Sequence, residues 1–263
     1  MTFKPKTKKI EILSRHYPKR ISELEKIFNA PTHIYIDLAN VLGWEERLGW
    51  NVDLKRLKQF FDSFANIKSI KIYYGYLRGS QHSAEINNII KKAKYEFITK
   101  PVKIIRLSID SSSIPLNSPA LLKDFVRKPL LDKLNEETIK FLNAKLRDLN
   151  KKGTRLLEDR KCNFDVEIGR DMLMDYSKDH INNFVLWSGD SDFEGPVRQL
   201  IKDRREVYVF ATSRRVSVEL SSTKARIFDI KKIKEFICWQ RQLPEDVKKL
   251  IKSQKDPRRA LKQ

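Results

Sequence analysis

Phe-Val-Leu-Trp-Ser-Gly-Asp-Ser-Asp-Phe, residues 184–193, runs four apolar residues into a Ser-Gly turn that carries two carboxylates, Asp190 and Asp192. A short apolar run bounded by a turn reads as a buried strand. Two acids at its end repel each other unless a cation arrives. Residues 33–40 repeat the device: Ile34, Tyr35 and Ile36 read as a buried strand ending on Asp37, with Asn40 one turn further on. Two strand ends, each tipped with acid, imply one metal-binding cleft.

Outward from these two runs the pattern alternates. Strand-like stretches at 34–38, 70–74, 102–107, 184–187 and 207–210 are separated by helix-period segments at 54–64, 84–97, 166–176, 197–202 and 216–224. A short strand at 227–230 and a helix at 231–239 close the series. Continuous β-branched and aromatic runs between amphipathic helices are the mark of a parallel sheet covered on both faces. The expected class is therefore α/β, with five to six parallel strands. In such sheets ligands bind outside the carboxyl ends of the strands, where strand order reverses. Right-handed crossovers make the first strand a neighbour of the fourth, which brings Asp37 within reach of Asp190 and Asp192.

A third acid is expected from the helical segment at 164–176. Asp165 stands at its N-cap position, with Val166, Ile168, Met172 and Leu173 as the buried stripe. Glu167 and Asp171 are four apart and share a face. An ordinary N-cap is an equal reading of Asp165, and a charge satisfied by Arg170 or a nearby lysine is the competing reading of Asp171. Mg²⁺ and Mn²⁺ take carboxylate, water and phosphate oxygens, and such an ion can activate water for in-line attack on a phosphodiester.

The alternation breaks at 110–116, where three serines and a proline lead into Asn117-Ser118-Pro119, a loop composition. From 133 to 149 the apolar residues Leu134, Ile139, Leu142, Leu146 and Leu149 recur near helical spacing. A helical insertion at about 110–160 follows, read as a peripheral packing helix or as a substrate lid. Residues 1–30 read as a basic arm with a short helix, 31–239 as the main domain, and 240–263 as a basic tail.

The 263 residues carry a formal charge of +20, and 14 Phe, 8 Tyr and 4 Trp suffice for a sizeable core. A field of that sign favours a polyanionic partner, nucleic acid first. A generally lysine-rich surface is the alternative. Cys162 and Cys238 with 4 His cannot build a disulfide framework or a four-ligand zinc site. No run of 18 apolar residues occurs, so the protein is expected to be soluble and cytoplasmic, with no membrane partner.

The residues Ile34-Tyr35-Ile36-Asp37-Leu38-Ala39-Asn40, then Asp165-Val166-Glu167-Ile168-Gly169-Arg170-Asp171-Met172-Leu173, then Ser188-Gly189-Asp190-Ser191-Asp192-Phe193 resemble, in order, the NYN domains of the PIN-like nuclease superfamily. Residues 207–210, Ser217, Leu220 and 227–229 look like that family's closing elements. The likeness spans about 32–236, apart from the longer 110–160 region. It implies a PIN-like, Rossmann-like α/β sheet and a metal-dependent ribonuclease, with an endonuclease expected. Asp37, Asp165, Asp190 and Asp192 would be catalytic metal ligands, Asn40 would orient substrate or water, and Asp171 would be an outer ligand. The implied cofactor is Mg²⁺ or Mn²⁺. Gly169 and Arg170 depart from the small or apolar residues expected there. Some members of the family bind RNA with little cleavage, which is the alternative function.

Trp44 and Arg47 follow the first acidic strand end, where an aromatic ring can stack on an unpaired base. Core packing is the competing reading for Trp44 and the favoured one for Trp50. Arg160, Lys161, Arg198, Arg214 and Arg215 fall near strand ends or helix starts, where they could hold phosphates, or they simply line a solvated face. Single-stranded or looped RNA is the expected partner, since its bases and phosphates are accessible together. Homodimer formation is left open. A phosphatase is disfavoured because position 39 is Ala, which breaks an Asp-x-Asp pair, and no glycine-rich phosphate loop is present.

Overall fold

A computed structural model describes residues 2–109, 111, 113–151, 155–179, 181–212 and 216–253. The chain divides into two units, 1–101 with 163–263, and 102–162.

The first unit opens with α1 (Lys8–His16) and α2 (Pro18–Ile27), continues through β1 (Thr32–Asp37), α3 (Leu38–Leu48), α4 (Leu54–Phe61), β2 (Ile67–Tyr76) and α5 (Gln81–Lys92), and reaches β3 (Glu96–Pro101). The second unit holds β4 (Lys103–Ile109), α6 (Lys128–Leu131), α7 (Glu136–Lys151) and β5 (Arg155–Lys161). The first unit then resumes with α8 (Asp165–Asp179), β6 (Asn183–Trp187), α9 (Glu194–Lys202), β7 (Glu206–Ala211), α10 (Val218–Ser221), β8 (Arg226–Asp229), α11 (Lys234–Ile237) and α12 (Glu245–Ser253).

Six strands form one sheet in the order β3-β2-β1-β6-β7-β8, and every adjacent pair is parallel. This is the parallel α/β sheet of five to six strands that the alternation predicts. Order reverses between β1 and β6, so the crevice at their carboxyl ends is the switch point where such sheets bind ligands. The two central strands are buried along nearly their whole length, as a doubly covered parallel sheet requires. On one face Trp187 and Phe210 pack with Phe61 of α4. On the other, Tyr35 stacks on Phe184, ring centres 6.2 Å apart, beneath α8.

The sheet departs from the expected pattern at its third strand. That strand is β3, which falls partly inside the stretch expected to continue a helix to residue 97, whereas 102–107 belongs to β4 and pairs antiparallel with β5. Helix α5 ends at Lys92, and Lys94 turns back with φ of 59°. The next residues alternate as Glu96-Phe97-Ile98-Thr99, and Pro101 then interrupts the run. Pro at a strand end is tolerated where a continuing central strand would not accept it. The stretch read as a basic arm is helical and anchored: Ile10, Ile12 and Leu13 of α1 and Leu24 of α2 are buried, because their apolar residues recur at helical spacing between the lysines. Toward the other terminus α12 buries Val247 and Ile251. In the second unit, Asn143 of α7 donates to the carbonyls of Leu116 and Ser118, and Arg147 to those of Ser111 and Ile114. Among the described residues no helix is long and apolar enough to cross a membrane.

The most buried polar tie between α8 and the sheet is a carboxylate. The Asp175 carboxylate, buried on α8, accepts from the Tyr35 hydroxyl at 2.7 Å and from Lys71 Nζ at 2.7 Å, and meets His33 Nδ1 at 3.0 Å. Burial alone would raise its pKa, but the bonds from His33, Lys71 and Tyr35 override that and hold it down at about 2. Further along the helix, Gly169 faces Pro196 of α9, where an added Cβ would lie 2.9 Å from the ring. The departure at position 169 thus has a structural cause: only glycine lets the two helices approach this closely.

Asp175→Ala, which leaves Lys71 only its longer pair with Glu96 at 3.7 Å, is expected to lower the unfolding free energy by about 3 kcal/mol, read from urea melts. Asp175 has a depressed pKa, so its stabilisation is full above about pH 4 and disappears as pH falls toward 2. The gap between parent and variant should shrink over that window. Gly169→Val should cost about 1 to 3 kcal/mol through overpacking, visible as a lower melting temperature.

Candidate metal centre

β1 ends on Asp37, whose side chain caps α3 by accepting from the Asn40 backbone N–H at 3.2 Å. β6 ends at Trp187, and the chain turns through Ser188 and Gly189 to Asp190. Asp190 caps a short 3-10 turn, Ser191–Phe193, by accepting from the Asp192 N–H at 3.3 Å. The buried Ser188 hydroxyl lies between the two strand ends, 3.5 Å from Asp37 Oδ2 and 3.4 Å from the Asp190 backbone N–H. Asp165 is the first residue of α8, and Gly169 against Pro196 sets how close that helix start comes to the turn.

These four carboxylates act on one another. The pKa of Asp165 is pushed up to about 6, first by burial and then by the negative charges of Asp190, Asp192 and Asp37, with a hydrogen bond to Asp192 adding to the rise. Two carboxyl groups share such a bond only when one holds a proton, so the cluster retains a proton well above the usual carboxylate range. Asp37 is also raised, chiefly by burial and further by Asp190, against the pull of the Asn40 and Ala39 N–H groups and of Ser188. A divalent cation would relieve the same repulsion. The donor set is all oxygen, which suits Mg²⁺ or Mn²⁺ rather than a soft metal. Among the described residues, no three Asp, Glu, His or Cys side chains stand close enough together to hold a metal ion as they are placed.

Beside the cluster lies a cavity of about 270 Å³ lined by Asn40, Gly43, Trp44, Gly189 and Asp190. Trp44 is only 5% exposed, and Trp50 is 3% exposed in the core. The packing reading is therefore right for Trp50, and Trp44 is both packed and a cavity wall.

Other candidates fall elsewhere. Asp171 is engaged on both oxygens, accepting from the Tyr73 hydroxyl at 2.8 Å and from Arg170 at 2.9 Å, and it is absent from the charges that raise Asp165. Its competing reading, a charge satisfied by Arg170, describes its contacts. Arg47 is exposed on α3, and Arg198 on α9 is exposed and paired with Glu194. Arg160 and Lys161 are exposed on β5 of the second unit. Arg214 and Arg215 lie outside the described residues. Sequence reasoning assigned no role to Ser188, Gly43, Gly189 or Tyr73. Ser188 and Gly189 sit inside the quoted turn, where only their small size was legible.

With metal withheld, Asp165→Asn should make the protein more stable at pH 7. The folded-state pKa is raised, so the cost of ionising Asp165 is absent below about pH 4, builds as pH rises from about 4 to 6 and is full above that. After allowing for solvent screening of a group this exposed, a gain of about 1 kcal/mol is expected. Thermal melts in EDTA from pH 4 to 8 should show the two proteins converging at the acid end.

The NYN domain family model matches residues 123–231 of this chain, a span that includes Asp165, Asp190 and Asp192 but not Asp37. The Low amplitude and bright protein LabA of Synechococcus elongatus is 23% identical over 205 residues, covering 78% of this chain and 86% of that protein. A solved protein of unknown function from Vibrio parahaemolyticus is 16% identical with a TM-score of 0.47, covering 78% of this chain and 94% of the other. Over residues 123–231, which hold three of its four clustered acids, the chain is similar to the NYN domain family.

Proposed function

We propose that this protein is a divalent-metal-dependent ribonuclease that hydrolyses RNA phosphodiester bonds at Asp37, Asp165, Asp190 and Asp192. The observation that carries the reading is the mutual repulsion of these carboxylates at the β1/β6 switch point, which holds Asp165 at a pKa of about 6. Acids that repel one another, standing at the switch point where sheets of this kind bind ligands, favour function over packing. The NYN match supports the same chemistry.

A bound Mg²⁺ or Mn²⁺ would polarise the phosphate and lower the pKa of an attacking water. The chain's own groups prepare the place. The Asn40 N–H fixes one oxygen of Asp37, Ser188 lies between Asp37 and the Asp190 backbone, and the Asp192 N–H orients Asp190. Burial of β1 and β6 beneath them leaves these acids little freedom to turn away. The net charge of +20 supplies the attraction to a polyanion that an acidic crevice lacks. Single-stranded or looped RNA is the proposed substrate, and a cytoplasmic location belongs to the same proposal. An RNA-binding module with little cleavage is the second reading, favoured by the open arrangement of the acids among the described residues.

A labelled single-stranded RNA incubated with Mn²⁺, Mg²⁺ or EDTA tests the proposal. Cutting should require metal and fall by about 100-fold or more in Asp37→Asn or Asp190→Asn, the upper end of what losing even an outer-shell partner costs a metal site. RNA binding should persist in both variants. Tight binding with no cutting under either metal favours the second reading. Binding should also weaken with salt at a log–log slope of about −0.7 per phosphate contacted.

A further inference from the structure

The cavity beside the carboxylates differs chemically from the cluster. Among the described residues its lining contains no lysine or arginine, and one wall is the Asp190 carboxylate, which disfavours a phosphate there. What fits is a flat neutral group able to hydrogen-bond. Trp44 is held almost fully in the core and gives the cavity a small fixed aromatic surface, against which a planar ring gains edge contact. Asp190 and the Asn40 amide can accept from the exocyclic N–H of a base, the pairing by which carboxylates and amides read base edges elsewhere. Hydrogen bonds to the described residues leave the Asn40 side-chain amide unengaged; its recorded contact uses the backbone N–H. Two of the five lining residues are glycines, and a Cβ placed on Gly43 meets nothing within 4 Å.

We propose that this cavity receives one unpaired nucleobase next to the carboxylate cluster, and so makes a flexible single strand the substrate of the site. The inference rests on the nuclease reading for the identity of the ligand as RNA, but it concerns binding alone. A base in a duplex would have to leave its stack to enter, which sets paired RNA at a disadvantage.

Gly43→Leu supplies the test. The residue is exposed on α3 at ordinary helical φ, and leucine is the better helix former, so the variant should fold at least as well as the parent. The probe is a set of short labelled oligoribonucleotides, each abasic at a different single position, with binding followed by fluorescence anisotropy in EDTA. In the parent, one position should lose affinity by about 10-fold or more when abasic, the scale of one stacked base, while the others lose little. Gly43→Leu should bind the intact strand as weakly as the parent binds that abasic one, with a flat profile along the strand. A flat profile in the parent, or a profile that Gly43→Leu leaves intact, overturns the inference. Metal-dependent cleavage with a flat abasic profile would sink the base pocket and keep the nuclease, whereas a base-dependent profile without cleavage under any metal would do the reverse. Failure to bind RNA at all overturns both.

Discussion

The buried carboxylate of Asp175 ties the architecture of the candidate site together. Gripped by His33, Tyr35 and Lys71, it fastens α8 to the two strands on the β2 side of the switch point. The start of the same helix carries Asp165, two to three turns away. Together with the Tyr73 hydroxyl on Asp171 and the Lys100–Glu167 pair, that anchor sets the rotation of the third acid-bearing element, since apolar burial fixes proximity but not helix rotation. Gly169 supplies the complementary constraint by letting Pro196 approach closely.

The two acids on α8 show how position sets chemistry. Asp175 has three donors around it and is held near pH 2, so its charge is secure wherever the protein works. Asp165 has three carboxylates around it and is pushed to about 6, so its charge is contested in the free protein. One group spends its environment on structure and the other is kept in a state that a cation would relieve. The basic surface and acidic crevice are complementary in the same sense: the net charge gathers a polyanion that the crevice alone would repel.

Much of the site was legible from residues because its acids follow apolar runs. Ile34 to Ile36 and Phe184 to Trp187 could hardly be anything but buried strands, and a charge directly after such a run must sit at the strand's end. Asp171 was harder: it shares a helical segment with Asp165, but the Tyr73 hydroxyl and Arg170 that occupy it are not both neighbours in sequence. The third strand was misplaced because α5 runs almost directly into β3, and one positive-φ lysine, with no glycine or proline, marks the change of period.

The sequence by itself determined the α/β class, the strands that end in acid and the amphipathic helix beginning at Asp165, because each depends on periodicity among near neighbours. Only the tertiary structure decided that β3 supplies the third strand, that Asp175 gathers partners 142, 140 and 104 residues away, and that Trp44 borders a cavity opened by Gly43 and Gly189. Those pairings arise when packed elements exclude water and leave polar groups no other partners, a constraint that no local pattern encodes.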